Sequence, residues 1–118
     1  MSQTVQNKRV LFLDDDPDVI EALRLTVSGE SFESRFFTDA YEAEASLKNG
    51  DFAVVVCDVR MPQMSGIDFV ARAKAINPNT VCINMSSTAD MTMVIEALHA
   101  NQIYDFFKKP LKKDKLIS

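Results

Sequence analysis

Four groups of side chains in this sequence could do chemistry together: Asp14-Asp15-Asp16, Asp58, Ser86-Ser87-Thr88 and Lys108-Lys109-Pro110. Each follows a short apolar run. Asp14, Asp15 and Asp58 are three carboxylates, and two such groups about 4 Å apart repel by about 4 kcal/mol at an effective dielectric near 20. Unrelieved, the cluster destabilises the fold or holds a proton. A divalent cation cancels two of the charges and the Lys109 ammonium cancels the third. Oxygen donors without nitrogen or sulfur select a hard cation, Mg²⁺ first and Mn²⁺ as a substitute. Magnesium keeps several waters and takes a phosphoryl oxygen readily as a further ligand, so the cluster suits an incoming phosphoryl group with Asp58 as its nucleophile.

These groups meet only if the elements between them place them at one edge. The apolar runs are Val10–Leu13, Ala53–Cys57 and Val81–Met85, with weaker ones at Phe32–Phe37 and Ile103–Phe107. Their length and their Val, Ile and Phe content predict parallel strands covered on both faces. The alternation of Phe32, Ser34 and Phe36 with polar neighbours predicts an edge strand. Between the runs the spacing is helical. Val19, Ile20, Leu23 and Val27 share a face behind Asp16-Pro17, an N-cap followed by a proline at the first helical position. Ala40, Ala43 and Leu47 define a second helix stopped at Asn49-Gly50. Ile67, Val70, Ala71 and Lys74 define a third, halted by Asn77-Pro78. Met91, Val94, Ile95 and Leu98 define a fourth, and a fifth starts after Pro110. Five β-α repeats joined by right-handed crossovers give a doubly wound α/β sandwich. In such a sheet functional groups gather at the carboxyl ends of the strands, where all four groups fall.

Composition narrows the class. A chain of 118 residues with 47% hydrophobic and 25% charged residues has the balance of one globular domain. It holds no apolar stretch near the roughly 20 residues that span a bilayer, and the polar opening is not of signal-peptide type. Cys57 and Cys82 lie inside apolar runs and read as buried thiols of a reducing, cytoplasmic compartment. With a single histidine, His99, a four-ligand thiolate and imidazole zinc site is excluded. A net charge of −4 argues against nucleic acid as the direct partner. The last helix has eight residues at most, so the chain reads as a piece of a longer protein.

The motifs Leu13-Asp14-Asp15-Asp16, Val56 through Gly66, Ser86-Ser87 and Lys109-Pro110, taken in order, resemble the receiver domain of two-component response regulators across residues 1–118. The resemblance implies a flavodoxin-like fold with strand order 2-1-3-4-5. It implies Asp58 as phosphoacceptor from a sensor histidine kinase or phosphotransfer protein. It also implies Asp15 as direct Mg²⁺ ligand with Asp14 acting largely through water, and the Arg60 backbone carbonyl as a further ligand. Ser86 would meet the phosphoryl group, and Lys109 would pair with it or with Asp58. Phe106 would be the aromatic switch, and Arg60 and Thr88 would tune dephosphorylation. Gly66 would shape the loop after strand three through a positive φ. The family switches a face made by helix four, strand five and helix five to control an output domain or a homodimer, dephosphorylates itself slowly, and is otherwise no enzyme.

Departures from the family pattern are few. Serine at 86 replaces the commoner threonine, Ser87 replaces alanine or glycine, Phe106 lacks a phenolic oxygen, and Gln102-Ile103 replaces Gly-Ala. Residues 101–110 are similar to receivers joined to HD-type phosphohydrolase output domains. Three other readings compete, one of them a pseudo-receiver, a binding module that never takes phosphate. A flavin module needs a phosphate-cradling loop where this chain has three aspartates, and a Mg²⁺ phosphohydrolase would use Asp14 and Asp16 but leaves Asp58 unexplained.

Overall fold

In the computed structural model the apolar runs become five strands: β1 (Arg9–Leu13), β2 (Glu33–Phe37), β3 (Val54–Asp58), β4 (Val81–Ser86) and β5 (Phe106–Lys108). Between them lie α1 (Pro17–Thr26), α2 (Ala40–Asn49), α3 (Gly66–Ile76) and α4 (Met91–His99). The structure describes residues 8–87, 90–100 and 106–109, without the side chains of Met93 and Phe107. Thr88 and the helix expected after Pro110 lie outside these residues.

All four strand pairings are parallel, in the order β2-β1-β3-β4-β5, the flavodoxin-like order expected. β2 is an edge strand, as its alternation predicted. The helix starts follow local chemistry: Asp16 caps α1 by accepting from Asp18 N, and Asp39 caps α2 by accepting from Tyr41 N and Glu42 N. Each satisfies amide donors that a helix start leaves unpaired.

Two cores flank the sheet. Leu11, Leu13, Val55 and Cys57 face α2 and α3, while Val10, Phe12, Val56, Ile83 and Met85 face α1. Phe12 is fully buried and stacks on Phe36 with ring centroids 5.1 Å apart. Burial of one such side chain contributes about 1.5–3 kcal/mol. Ala40, Ala43 and Leu47 face the core as the spacing predicted.

Two helix faces differ from the sequence reading. In α3 the buried residues are Gly66, Phe69, Val70 and Ala73, whereas Ala71 is exposed. Lys74 uses its ammonium to bind the carbonyls of Pro78 and Thr80. The helix starts at Gly66 and turns Phe69, the largest apolar side chain available, inward. In α4, Val94 and Ala97 pack against Val59, while Ile95 and Leu98 are exposed.

Gly66 also corrects an expectation. Its φ is not positive; the positive-φ glycine is Gly29, at 86°. At Gly66 the constraint is space, because a Cβ there would lie 1.8 Å from the carbonyl oxygen of Asp58. Gly66→Ala is therefore expected to destabilise by about 3 kcal/mol or more, in the range of severe overpacking. Gly29→Ala, with nothing within 4 Å of its Cβ, should cost about 1 kcal/mol through φ alone. Urea denaturation of both variants measures the difference.

Candidate functional site

The chain runs from β1 outward to β2 and then returns to β3 on the other side of β1. Connections leaving β1 and β3 in opposite directions open a crevice at their carboxyl ends. Asp14 follows β1 directly and Asp58 is the last residue of β3. Backbone bonds hold both ends: Asp14 N donates to Phe37 O at 3.1 Å and Val59 N to Met85 O at 3.0 Å. From the other side Lys109 N donates to Ser86 O at 2.8 Å, which fixes the lysine at the end of β5.

Carboxylate oxygens of Asp14, Asp15 and Asp58 lie within 4.8 Å of one another. Asp14 and Asp58 are buried, at 1% and 5% exposure, and Asp15 is exposed. Lys109 Nζ lies 2.9 Å from Asp14 Oδ2 and 2.9 Å from Asp58 Oδ1. Asp14 Oδ1 accepts from Asp16 N at 3.0 Å. One ammonium against three carboxylates leaves the cluster doubly negative.

The electrostatics follow from that imbalance. Burial pushes the Asp58 carboxyl above its ordinary value; the charges of Asp14 and Asp15 push the same way, and Lys109 opposes them. Burial alone would lower Lys109, but its hydrogen bonds to Asp14 and Asp58 and their charges outweigh burial and hold it up. The donor set is all oxygen and carries more negative charge than the lysine can cancel. Asp14 Oδ2, a buried atom, has only that ammonium beside it among the described residues. These residues fit a hard divalent cation.

The remaining expected residues are close by but engaged elsewhere. Ser86 is fully buried at the end of β4, and its hydroxyl donates to Ser87 O at 3.0 Å. Phe106 is half-buried against the Val59, Val94 and Ala97 cluster. The Arg60 side chain turns to Asp90, with Nε 2.7 Å from Asp90 Oδ1. Asp16, which a phosphohydrolase would use, is spent on capping α1. Cys57 faces the α2 and α3 core, opposite to Val56, and burial pushes its thiol well up, with the Asp58 charge adding to it. Burial pushes Cys82 up to about 11. Both are inert core thiols at neutral pH.

Two residues beside the site escaped the sequence reading. Asp90 is buried and partners Arg60; its signal was an acid just before the helical spacing that begins at Met91. Asn84 is fully buried in β4 and donates to Cys57 O at 3.3 Å, and its own oxygen has no partner among the described residues. A lone amide within the apolar run Val81–Met85 was the visible sign. Among the described residues no helix is long and apolar enough to cross a membrane.

Comparison with known proteins agrees with this geometry. A family model described as the response regulator receiver domain matches residues 10–118. The chain is 34% identical over 109 residues to the C4-dicarboxylate transport transcriptional regulatory protein DctD of Rhizobium meliloti. It is 31% identical over 108 residues to the response regulator protein TodT of Pseudomonas putida. Each alignment takes in 92% of this chain but only 23% and 47% of those proteins, so the chain spans less than half the length of either. Among solved structures, that of an adenylate cyclase from Rhodopirellula baltica aligns with a TM-score of 0.81 at 32% identity, covering 94% of this chain and 82% of that one. A matched family over nearly the whole sequence, together with the acid cluster at the β1 and β3 ends, makes this chain a receiver domain of the response regulator family.

Proposed function

We propose that this receiver domain takes a phosphoryl group onto Asp58 from the phosphohistidine of a cytoplasmic sensor histidine kinase or phosphotransfer protein, in a Mg²⁺-dependent reaction. The observation that carries the reading is the Lys109 ammonium 2.9 Å from both Asp14 and Asp58 within a triple-carboxylate cluster. An ionised oxygen of Asp58 attacks phosphorus in line, the P–N bond to the donor imidazole breaks, and the electron pair leaves on that nitrogen. Such transfer needs positioning and charge neutralisation more than covalent machinery. Asp15, Asp58 and the Arg60 carbonyl would hold Mg²⁺, with Asp14 acting largely through water. The ion supplies neutralising charge and a binding position for a phosphoryl oxygen.

Lys109, fixed through its own amide, stays beside the transferred group and pairs with one of its oxygens. Ser86 gives up its bond to Ser87 O and donates to another. That movement shifts the start of the β4–α4 connection and frees Phe106 to turn toward it. The exposed Ile95 and Leu98 of α4 support the α4–β5 side as the surface read by an output domain or a second copy. Water attack on the acyl phosphate returns the Asp58 carboxylate and inorganic phosphate, with Arg60 and Thr88 tuning the rate. The domain thus catalyses only its own phosphorylation and dephosphorylation, as a signalling switch. The greater length of the relatives supports an output domain on the same polypeptide, and the net charge of −4 supports the absence of direct nucleic-acid contact.

Acetyl phosphate with Mg²⁺ is expected to give one phosphoryl adduct by intact mass, lost with chelator and in Asp58→Asn; an adduct surviving Asp58→Asn would overturn the assignment. Asp15→Asn should weaken Mg²⁺ about tenfold or more in a thermal-shift titration. One charge about 4 Å from a dication is worth about 2 kcal/mol even at the dielectric of water.

Without metal, Asp58→Asn should melt higher than the parent. A carboxyl raised above its unfolded value costs stability as pH rises from the unfolded value through the folded one, so the gap should widen over that interval and then level off. Melting temperatures measured across that range in chelator check the sign.

A further inference from the structure

Asp90 takes the N-cap position of α4, yet its carboxylate makes no capping bond. Both oxygens are committed elsewhere. Oδ1 accepts from Arg60 Nε at 2.7 Å and Oδ2 accepts from Ser87 Oγ at 3.2 Å. The Asp90 amide also donates to Ser87 O at 3.1 Å. The acid is nearly enclosed, with its side chain 9% exposed, while the Arg60 side chain is 67% exposed. One carboxylate therefore ties together the loop that leaves β3 two residues after Asp58 and the loop that leaves β4 one residue after Ser86.

Those loops frame the acid cluster. A phosphoryl group on Asp58 places about −1.5 to −2 charges and three acceptor oxygens there. Two residues of extended chain cover about 7 Å, within reach of a long arginine side chain. Guanidinium matches phosphoryl oxygens in a bidentate fork, a better partner than the single Nε contact it makes with Asp90. Lys109 does not compete for Asp90, being held between Asp14 and Asp58.

We propose that Arg60 exchanges partners: it is bound to Asp90 in the unphosphorylated domain and to the phosphoryl group once Asp58 is modified. This rests on the reading of Asp58 as the phosphoacceptor. Losing Arg60 leaves Asp90 an uncompensated, nearly buried anion that must move toward water, and Ser87 and the first turn of α4 move with it. Asp90 touches no reacting atom; it is a positioning residue that acts through Arg60 and opposes phosphorylation by holding the guanidinium back.

Beryllium fluoride with Mg²⁺ serves as the phosphoryl probe, titrated into the parent domain, Asp90→Asn, Arg60→Gln and the double variant, with NMR as readout. In the parent, the Arg60 Nε–H signal should shift on binding together with the amides of Ser87 and Val94. Asp90→Asn should bind the probe about two- to fivefold more tightly, the size expected for one partly exposed ion pair. Its free-state Ser87 and Val94 signals should already lie part-way to the bound positions. In the Arg60→Gln background the same change should add nothing. An equal gain in both backgrounds would assign the effect to the charge of Asp90 on the α4 dipole and overturn the exchange, as would unchanged affinity in Asp90→Asn. Should that variant not fold, the Arg60 signal of the parent decides: unmoved on binding, it overturns the exchange alone. A parent domain that takes no probe at all removes the phosphoacceptor reading and the exchange with it.

Discussion

Two buried carboxylates sharing one ammonium are the constraint from which the rest of this molecule follows. Asp58 ends β3, while Asp14 and Lys109 directly follow β1 and β5. Burying either acid alone would cost several kcal/mol. Their proximity is tolerable because Lys109 sits 2.9 Å from each and because the exposed Asp15 leaves one side of the cluster open to water. The residual negative charge is an unfinished interaction, and an unfinished interaction at a sheet edge is what a transient ligand can complete.

The fold supplies the rigidity this arrangement demands. Four parallel pairings lock the strand ends in register, and backbone bonds from Asp14, Val59 and Lys109 extend the lock one residue beyond the strands. Gly66 brings the start of α3 against the Asp58 carbonyl at a distance that no side chain could share. Asp58 is thus pressed from behind by a helix start and held from the front by the Lys109 ammonium.

Much of this was legible in the sequence, for identifiable reasons. Strand ends were visible because the apolar runs are short and uniform, and each stops at a polar cluster. The α2 face was legible because Ala40, Ala43 and Leu47 are the apolar residues on a repeating spacing. The α3 and α4 faces were not. Both helices carry more apolar residues than one stripe can hold, so spacing alone does not say which of Ile67, Phe69, Val70, Ile95 and Leu98 go inside; packing against Val59 and the sheet decides. The acid cluster could be read because its members follow strands in order. Asp90 could not, because its role depends on Arg60, 30 residues away in the chain and brought near only by the fold. Asn84 was hidden by its apolar neighbours.

One further consequence lies in β5. Among the described residues it pairs with β4 alone, and it is followed directly by the lysine that bridges the two buried acids. The cation that makes the pocket tolerable is therefore mounted on an edge strand of the sheet. Anything that draws Lys109 to a new anion tugs on that margin directly, and anything that peels the margin away exposes the acids to each other. Chemistry at the centre and mechanical integrity at the border are, in this molecule, the same degree of freedom.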